Sequence, residues 1–379
     1  MEQPVSLEQL AAVLGEAAAA GKRIHLAGAA SKHGMAGPEP EADLEVTTSS
    51  LGRVVQYDPR DLTISVEAGL PFAELSRVLA EERQMIPLDP PFFARATVGG
   101  VVAANGSGPR RRLYGTARDM IIGMKLVTLE GKIVQTGGMV VKNVAGLDIA
   151  KVMVGSFGTL AALGVVNFRV FPCPAATRTF LARLDSAPEA FAARDSLLRG
   201  VLQPAAVDLL NPAGARRIGQ DGYLLLVQAG GSRTVLDRYR RELAGAQVIE
   251  DEAETDLWRR IREFVPDFVS ERAEGVVIRA SCTLSGLGEL VESSAVPALA
   301  RAGSGVAYLC FQDVPAASGW MKAADERGRK YVVEFAPASR KRDLVLWPNP
   351  GDDFVIMEKL KEMLDPGRLL NRGRLYGRI

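Results

Sequence analysis

A run of small residues followed by three arginines, ATVGGVVAANGSGPRRRLYGTARD from Ala96 to Asp119, constrains this chain more than any other segment. Gly99 and Gly100 have no Cβ, so their backbone can approach a ligand closely and can adopt positive φ. Backbone N–H groups at a turn or at the start of a helix bind anions, and phosphate is the first candidate. The alternative is a tight turn followed by a solvated basic loop. This stretch by itself leaves both readings open.

Length and composition describe a globular protein with more than one domain. The 379 residues exceed what a single hydrophobic core usually supports, and 47% hydrophobic with 24% charged residues is ordinary for such a protein. The net charge of +1 gives no reason to expect nucleic acid or an anionic membrane as the main partner.

The cysteines and the N-terminus indicate the compartment. Cys173, Cys282 and Cys310 are far apart and form no CxxC spacing, so we expect no disulfide framework and no metal site. No basic segment followed by an apolar core opens the chain, so we expect no secretory signal. The uncharged segment Val152–Phe168 contains three glycines and predicts a buried strand pair, not a membrane span. We expect a cytoplasmic protein, with any contact at the inner membrane made through partner subunits.

Alternating and helical patterns predict two regions of mixed helices and strands. Ser6 is expected to cap a helix that Gly21 ends, and the strand RIHLAG follows it. LTISVEAG, MKLVTLEG and KIVQTGG predict strands, and PFAELSRVLAEER predicts a helix. The proline-bearing segment Pro172–Arg178 is the expected domain boundary. Beyond it, helical segments alternate with GYLLLVQAG, GVVIRAS and GVAYLCFQ, and DDFVIMEKLKEML predicts a last helix.

Three segments carry a resemblance to a known family: Ala96–Asp119, GGMVVKNVAGLDIAKVMVGSFGTLAALG and the ending LDPGRLLNRGRL. Together they resemble the PCMH-type, vanillyl-alcohol-oxidase-like FAD-binding flavoproteins, and more closely the FAD-binding E subunit of bacterial glycolate oxidase. The resemblance implies an α+β fold with a two-lobed PCMH-type FAD-binding domain at residues 1–172, with lobes at about 1–52 and 53–172. A smaller α+β cap domain at 173–335 and a C-terminal segment at 336–379 that returns to the FAD domain are also implied.

The same resemblance implies partners and a substrate class. A second flavin subunit and an iron–sulfur subunit would complete a glycolate oxidase-like complex, and a small 2-hydroxy acid would be the substrate of that complex. No GxGxxG follows a first strand, so a nicotinamide cofactor is disfavoured.

In a fold of this kind the FAD pyrophosphate is expected between the loop 27–34 and the segment 97–108. Ser31 and Thr97 would offer hydroxyl groups, while Gly99 and Gly100 would direct N–H groups toward phosphate oxygens. Hydrogen bonds to a charged group contribute about 1.5–3 kcal/mol each. The residues expected to contact FAD are Ala27, Gly28, Ala29, Ala30, Ser31, Pro90, Thr97, Gly99, Gly100, Ala104, Ser107, Gly108, Asp148, Gly155, Gly158 and Val165.

The first loop departs from the family pattern. Many members have a histidine there that bonds covalently to the flavin, but the aligned position in this chain is Ser31. We therefore expect non-covalent FAD, with His33 as the alternative attachment site. His25 lies in an alternating strand and is expected to pack or to face solvent.

The segment KNVAGLDIAKVMVGSFG departs from the pattern as well. Leu147 stands where relatives mostly have tyrosine, and Phe157 where they often have an acidic residue. Lys142, Asn143 and Asp148 could reach polar atoms near the flavin. The alternative for Asp148 is that it caps the helix IAKVMVG.

Groups that could oxidise a hydroxy acid are sparse, and we assign no catalytic residue. No histidine follows Met35, and no cysteine cluster could hold an iron–sulfur centre. An arginine for the carboxylate and a base for the hydroxyl would be needed. The candidates in the cap are Arg259, Arg279, Arg327 and Glu334.

Three functions therefore stay open. The chain could be an electron-relaying flavin subunit, a stand-alone FAD-dependent 2-hydroxy acid dehydrogenase, or a non-redox structural subunit. Arg110, Arg111, Arg112 and Arg118 could neutralise phosphate, contact a partner subunit or lie in solvent.

Overall fold

The computed structural model describes residues 1–139 and 148–379. It divides into two compact units. The first comprises Met1–Ser107, Gly115–Cys173 and Lys341–Ile379, and the second comprises Gly108–Tyr114 and Pro174–Arg340. The short segment Gly108–Tyr114 thus belongs to the second unit, although the residues on both sides of it belong to the first.

Helices and strands are numbered here in chain order. The helices are α1 (Leu7–Ala19), α2 (Phe72–Glu81), α3 (Val98–Ala103), α4 (Arg111–Tyr114), α5 (Ala117–Met120), α6 (Ile149–Met153), α7 (Ala187–Arg199), α8 (Pro212–Arg217), α9 (Arg233–Glu242), α10 (Asp251–Arg262), α11 (Phe264–Glu271), α12 (Leu287–Glu292), α13 (Val314–Glu326) and α14 (Phe354–Leu364). The strands are β1 (Ile24–Ala27), β2 (Leu44–Thr47), β3 (Val54–Asp58), β4 (Thr63–Glu67), β5 (Gln84–Met85), β6 (Ile121–Val127), β7 (Ile133–Gly137), β8 (Ala162–Arg169), β9 (Phe171–Pro172), β10 (Ala176–Leu184), β11 (Ala206–Leu210), β12 (Tyr223–Gly231), β13 (Gln247–Ile249), β14 (Val276–Ser281), β15 (Ala298–Arg301), β16 (Val306–Phe311) and β17 (Lys330–Phe335). A 3₁₀ helix spans Ala338–Asp343.

The first unit begins with the helix and strand that the sequence predicts. The Ser6 side chain accepts a hydrogen bond from the Gln9 N–H and caps α1. Leu10, Leu14 and Ala17 recur at helical spacing and are buried, so one face of α1 enters the core. β1 then pairs in parallel with β2. The buried residues of this core include one from the C-terminal segment, Leu370.

The first unit also contains an antiparallel sheet of five strands, in the order β3-β4-β8-β6-β7, and an antiparallel pair of β5 and β9. Every residue of β4 is buried, and this strand has a neighbour on each side in the sheet. The predicted strands and the predicted helix of this region correspond to β4, β6, β7 and α2, so those predictions are correct.

The second unit contains an antiparallel sheet of eight strands in the order β13-β10-β12-β11-β15-β16-β14-β17. Arg112 attaches the segment Gly108–Tyr114 to this unit. Its guanidinium donates to the Pro204 carbonyl at 3.1 Å, and its aliphatic part packs closely on Gly303. Burial lowers the Arg112 pKa. Arg112 is therefore not part of a solvated loop, whereas Arg111 is exposed.

Two sequence predictions about the segment after residue 147 need correction. Asp148 stands at the N-cap position of α6, as the sequence alternative has it, but its side chain makes no capping hydrogen bond to the first turn. In Val152–Phe168 the only strand is part of β8, because positive φ at Phe157 and Gly158 turns the backbone before it. In the described ranges, none of the helices has the length and apolar composition that crossing a bilayer requires.

Candidate cofactor-binding site

A cleft open to solvent lies in the first unit, at the end of β1. Three segments of the chain form its walls: residues 25–33 at and after β1, the start of α3, and residues 157–163 before and within β8. Asn371 and Arg374 from the C-terminal segment complete the lining. A cleft with mostly apolar walls and a few polar groups is typical of a cofactor site.

Glycines bring two of these walls together. A Cβ on Gly28 would overlap the Thr97 hydroxyl, and a Cβ on Gly99 would lie 2.9 Å from the Cβ of Ala68. Side chains at either position would therefore displace the opposite wall. This close approach is the kind of cradle that backbone without side chains provides for a phosphate group.

The donors of the second wall are arranged differently from the sequence-based expectation. The Gly99 N–H donates to the Ala68 carbonyl at 2.6 Å, and the Gly100 N–H donates to the Thr97 hydroxyl at 3.3 Å. These two N–H groups are thus engaged within the protein, because α3 is capped by Thr97 and packs against the turn after β4. The glycines offer close approach to a ligand, and the hydroxyl of Thr97 keeps its own proton to donate.

Ten of the residues expected to contact FAD line this one cleft: Ala27, Gly28, Ala29, Ala30, Ser31, Thr97, Gly99, Gly100, Ala104 and Gly158. They come from segments more than 100 residues apart in the chain, and the fold brings them together. Their contact with the flavin stays a prediction.

Six others lie elsewhere. Pro90 is buried beside Gly106, Val165 is buried in β8, and Gly155 donates its N–H to the Val102 carbonyl next to α3. Ser107 ends a segment of the first unit and Gly108 begins the second unit's segment. Asp148 is exposed and forms a long ion pair with Lys151 at 4.0 Å. Lys142, Asn143 and Leu147 lie outside the described residues.

Both histidines of the chain line the cleft. His33 is exposed and its Nδ1 lies 3.0 Å from the Ala30 carbonyl. His25 is half-buried in β1, and burial together with the positive charge of Arg374 lowers its pKa. Ser31 also lines the cleft. It is the residue expected to align with the flavin-linking histidine of relatives.

Three of the twelve non-glycine residues with positive φ in the described ranges line this cleft. Ala30, Phe157 and Asn371 all have positive φ, of 50°, 52° and 45°, and all three line it. A left-handed conformation in a residue other than glycine costs about 1–3 kcal/mol and is found preferentially at ligand sites. Contacts with surrounding residues must therefore stabilise these three left-handed backbone conformations.

The C-terminal ending LDPGRLLNRGRL supplies those contacts. The Asn371 carboxamide oxygen accepts from the Leu26 N–H, and its nitrogen donates to the carbonyls of Leu26 and Phe157. Lys361 is buried; it pairs with Asp365 at 2.6 Å and donates to the carbonyl of Thr159. The ending thus fastens β1 to the turn before β8, on both sides of the cleft.

No sequence pattern assigns a role to Asn371 or Arg374, although both lie in the ending LDPGRLLNRGRL. Arg374 is 8% exposed and donates to the carbonyls of Lys32, His33 and Gly37. It brings a buried positive charge to a cleft whose walls are otherwise mostly small and apolar. A buried cation, close backbone approach and hydroxyl groups together suit the diphosphate of a dinucleotide.

The second unit holds a different group of charges, which we call the charge row: Asp208, Arg301, Tyr308, Arg279 and Glu334. These residues lie on five adjacent strands, β11, β15, β16, β14 and β17. Arg279 stands directly opposite Tyr308 and forms an ion pair with Glu334 at 2.7 Å, and Arg301 forms an ion pair with Asp208. Burial raises the pKa of Glu334 and of Tyr308.

The other arginines proposed from the sequence give less evidence of a functional site. Arg259 pairs with Asp256 on the exposed surface of α10, and Arg327 is an exposed neighbour of Glu289 at 3.6 Å. Arg118 donates to the Lys151 carbonyl at 3.3 Å.

Comparison with known proteins identifies the group to which the chain belongs. Residues 2–137 match the FAD binding domain family. The chain is 30% identical to glycolate oxidase subunit GlcE of Escherichia coli (strain K12) over 332 residues, which cover 86% of this chain and 85% of that protein. The chain belongs to the GlcE family. The GlcE-type chain is thus an FAD-binding oxidoreductase subunit, and its cofactor is FAD.

This GlcE-type chain is also similar to a second glycolate oxidase subunit and to a solved structure. Glycolate oxidase subunit GlcD of Bacillus subtilis (strain 168) is 29% identical over 171 residues, which cover 45% of this chain and 36% of that protein. A solved structure of alkyldihydroxyacetonephosphate synthase superposes with a TM-score of 0.73 at 16% identity, covering all of this chain and 75% of that one. The prediction of an α+β fold of the PCMH type is therefore confirmed.

Proposed function

We propose that this chain is the FAD-carrying subunit of a complex that oxidises glycolate or a related 2-hydroxy acid, and that it relays electrons. The observation that carries the proposal is the cleft of the first unit, which combines close backbone approach with the buried charge of Arg374. The GlcE protein of Escherichia coli, named as a glycolate oxidase subunit, is similar over most of this chain. Bound FAD would supply the two-electron chemistry, and this chain's own residues would bind and orient it.

The relay assignment rests on the distribution of catalytic groups. Both histidines line the dinucleotide cleft, and the sequence has none in the second unit. The arginines of the charge row face buried or nearly buried carboxylates, so their charge is already balanced. Substrate oxidation is therefore assigned to a partner flavin subunit similar to the GlcD protein, and electron acceptance to an iron–sulfur subunit.

Attachment and location belong to the same proposal. FAD is bound non-covalently, since Ser31 occupies the position of the linking histidine, and acid precipitation should release the flavin into the supernatant. Yellow colour retained by denatured protein would instead point to a covalent bond at His33. The complex acts in the cytoplasm or at its membrane face, in keeping with three cysteines that are all free.

The experiment that tests this function compares the chain alone with the assembled complex. The purified chain should be yellow, should keep its absorbance when glycolate is added, and should turn over glycolate only after its partner subunits are added. Rapid bleaching of the isolated chain by glycolate would contradict the relay assignment, and a colourless chain that binds no added FAD would favour a structural role.

The charge row favours one second candidate, a stand-alone 2-hydroxy acid dehydrogenase. Tyr308 is partly exposed and stands beside Arg279 and Arg301, so a carboxylate and a hydroxyl group would find donors there. Replacement of Tyr308 by Phe separates the two candidates. It should abolish turnover in a stand-alone enzyme, and it should leave partner-dependent turnover unchanged in a relay subunit.

A further inference from the structure

Two buried cations of the C-terminal segment contact the loop that follows β1. The Arg374 guanidinium donates to the carbonyls of Lys32 at 3.2 Å, His33 at 3.0 Å and Gly37 at 2.7 Å. The Lys341 ammonium donates to the carbonyl of Gly34 at 2.6 Å and shares the Gly37 carbonyl at 3.2 Å. Both residues are more than 300 positions away from the loop in the sequence.

Backbone contacts lock the loop to the same segment. The Gly37 N–H donates to the Arg374 carbonyl at 3.0 Å, and a Cβ on Gly37 would overlap the carbonyl of Gly373. The end of the loop is thus bound through its N–H group and through its carbonyl to one residue. Residues 28–33 line the cleft, and the contacts with Arg374 and Lys341 fix the residues that follow them. These two cations therefore determine the conformation in which the loop faces a ligand.

The charge of these two cations is not balanced by a contacting carboxylate. Within residues 1–139 and 148–379, neither Arg374 nor Lys341 forms an ion pair with Asp or Glu, and the acidic group that acts on both is Glu39, which is exposed. Lys341 is 3% exposed. Burying two like charges against carbonyl dipoles alone is costly, so the site favours a neighbouring anion.

We propose that Arg374 and Lys341 are positioning residues for the FAD pyrophosphate, which they serve by fixing the loop 32–37 and by supplying positive charge that the bound pyrophosphate neutralises. The inference rests on the assignment of FAD to this cleft, and it adds the residues that prepare the cleft for it. It predicts that both cations affect FAD affinity much more than neighbouring surface arginines do.

A dependence on pH follows from the surroundings of Lys341. Burial and the adjacent Arg374 lower the Lys341 pKa to about 7, and Glu39 acts weakly in the opposite direction. The other titratable groups around the loop are Lys32, His25 and His33, which line the cleft. Burial and Arg374 lower the pKa of His25, so it titrates below the range from pH 7 to pH 9. A bound pyrophosphate raises the Lys341 pKa, and each unit of that rise corresponds to about tenfold in affinity.

The first test measures the FAD dissociation constant of full-length variants by fluorescence titration. We expect Arg374→Met and Lys341→Met to weaken FAD binding about tenfold or more at pH 6. The matched controls Arg372→Met and Arg342→Met remove exposed cations next to the same two positions and should stay within about twofold of the parent chain. Circular dichroism establishes that each variant is folded. Unchanged affinity in folded Arg374→Met and Lys341→Met would overturn the proposal.

The second test does not depend on the stability of the Arg374 variant. In the parent chain the FAD dissociation constant should rise about tenfold from pH 6 to pH 9, as Lys341 loses its proton. Lys341→Arg keeps its charge at both pH values, so its profile should be flat. A purely structural lysine would not transmit pH to FAD in this way. A flat profile in the parent chain, or an equal slope in Lys341→Arg, would overturn the proposal.

These outcomes are separate from those that test the function. If the isolated chain oxidises glycolate by itself, the relay assignment fails while the effect of the two cations on FAD affinity can still be measured. If the parent chain binds FAD and the variants bind it equally well, the positioning role fails and the relay assignment is unaffected.

Discussion

Two groups of buried or partly buried cations in this protein, one in each unit, are in opposite electrostatic situations. In the first unit, Arg374 and Lys341 are buried against backbone carbonyls, and no carboxylate within the described part of the chain pairs with them. In the second unit, Arg301 and Arg279 each face a carboxylate that is itself buried. Balanced pairs contribute to the structure of a protein, whereas unbalanced buried charge is found where a ligand of opposite charge binds.

Removing one member of a balanced pair should have the largest effect on the free energy of unfolding. Asp208 is 0% exposed, and Asp208→Ala leaves the Arg301 charge buried without its partner. We expect a loss of about 3–5 kcal/mol in the unfolding free energy of the second unit. Denaturant unfolding followed by far-ultraviolet circular dichroism measures it, and the folded fraction should keep its FAD. Arg77→Ala, which breaks an exposed pair on α2, should cost less than about 1 kcal/mol. Equal losses in the two variants would contradict the distinction.

A substitution in the cleft should have the reverse effect. Gly99→Asp places a Cβ against Ala68 and adds a negative charge where the pyrophosphate is expected. We expect FAD affinity to fall by about 10- to 100-fold, equivalent to about 1.4–2.8 kcal/mol, with the second unit still folded. The control Gly319→Asp puts the same side chain on an exposed, uncrowded position of α13. Full flavin content in Gly99→Asp would remove this wall from the site.

The extent to which sequence predicts this site follows from the range of its interactions. The cap of α1 by Ser6 and the strand β4 depend on neighbours in the chain, and patterns of residues predict them. The glycines of the cleft are also visible, because bare backbone is a local feature. The roles of Asn371 and Arg374 depend on hydrogen bonds to residues more than 330 positions away, for which no local pattern exists.

The direction of the N–H groups shows a further limit. The sequence predicts that Gly99 and Gly100 direct their N–H groups toward phosphate, but it cannot show that the turn after β4 accepts the Gly99 N–H first. The same holds for Arg112: three consecutive arginines predict a basic loop, and the tertiary contact with Pro204 distinguishes one of them.

Stability against pH provides a third comparison. The folded chain holds the Lys341 pKa near 7, below that of the unfolded chain, so the unfolded state binds more protons between pH 7 and pH 9. FAD-free protein should therefore gain about 2 kcal/mol of stability from Lys341 over this interval, while its FAD affinity falls. Thermal unfolding of the parent chain and of Lys341→Met isolates this contribution as the difference between two profiles. If the stability of the two proteins changes with pH in parallel, the claim that burial lowers the Lys341 pKa is contradicted.

The arginine segment provides the smallest expected effects. Arg112→Ser removes the bond to the Pro204 carbonyl and should cost about 1–2 kcal/mol of second-unit stability. Arg111→Ser removes an exposed cation and should change stability by less than about 0.5 kcal/mol. If Arg111 contacts a partner subunit, its loss weakens co-purification without changing FAD content. Unchanged co-purification would show that Arg111 is a solvent-exposed residue without a role in assembly.

The most direct test of the central claim is the proton balance of FAD binding. Titration calorimetry at pH 8 in buffers of different ionisation enthalpy counts the protons that the protein takes up with FAD. Because Lys341 is mostly deprotonated at that pH in the free chain, we expect an uptake of about 0.4 proton in the parent chain and none in Lys341→Arg. A heat of binding that is the same in every buffer for the parent chain would contradict the claim that the pyrophosphate neutralises the charge of this buried cation.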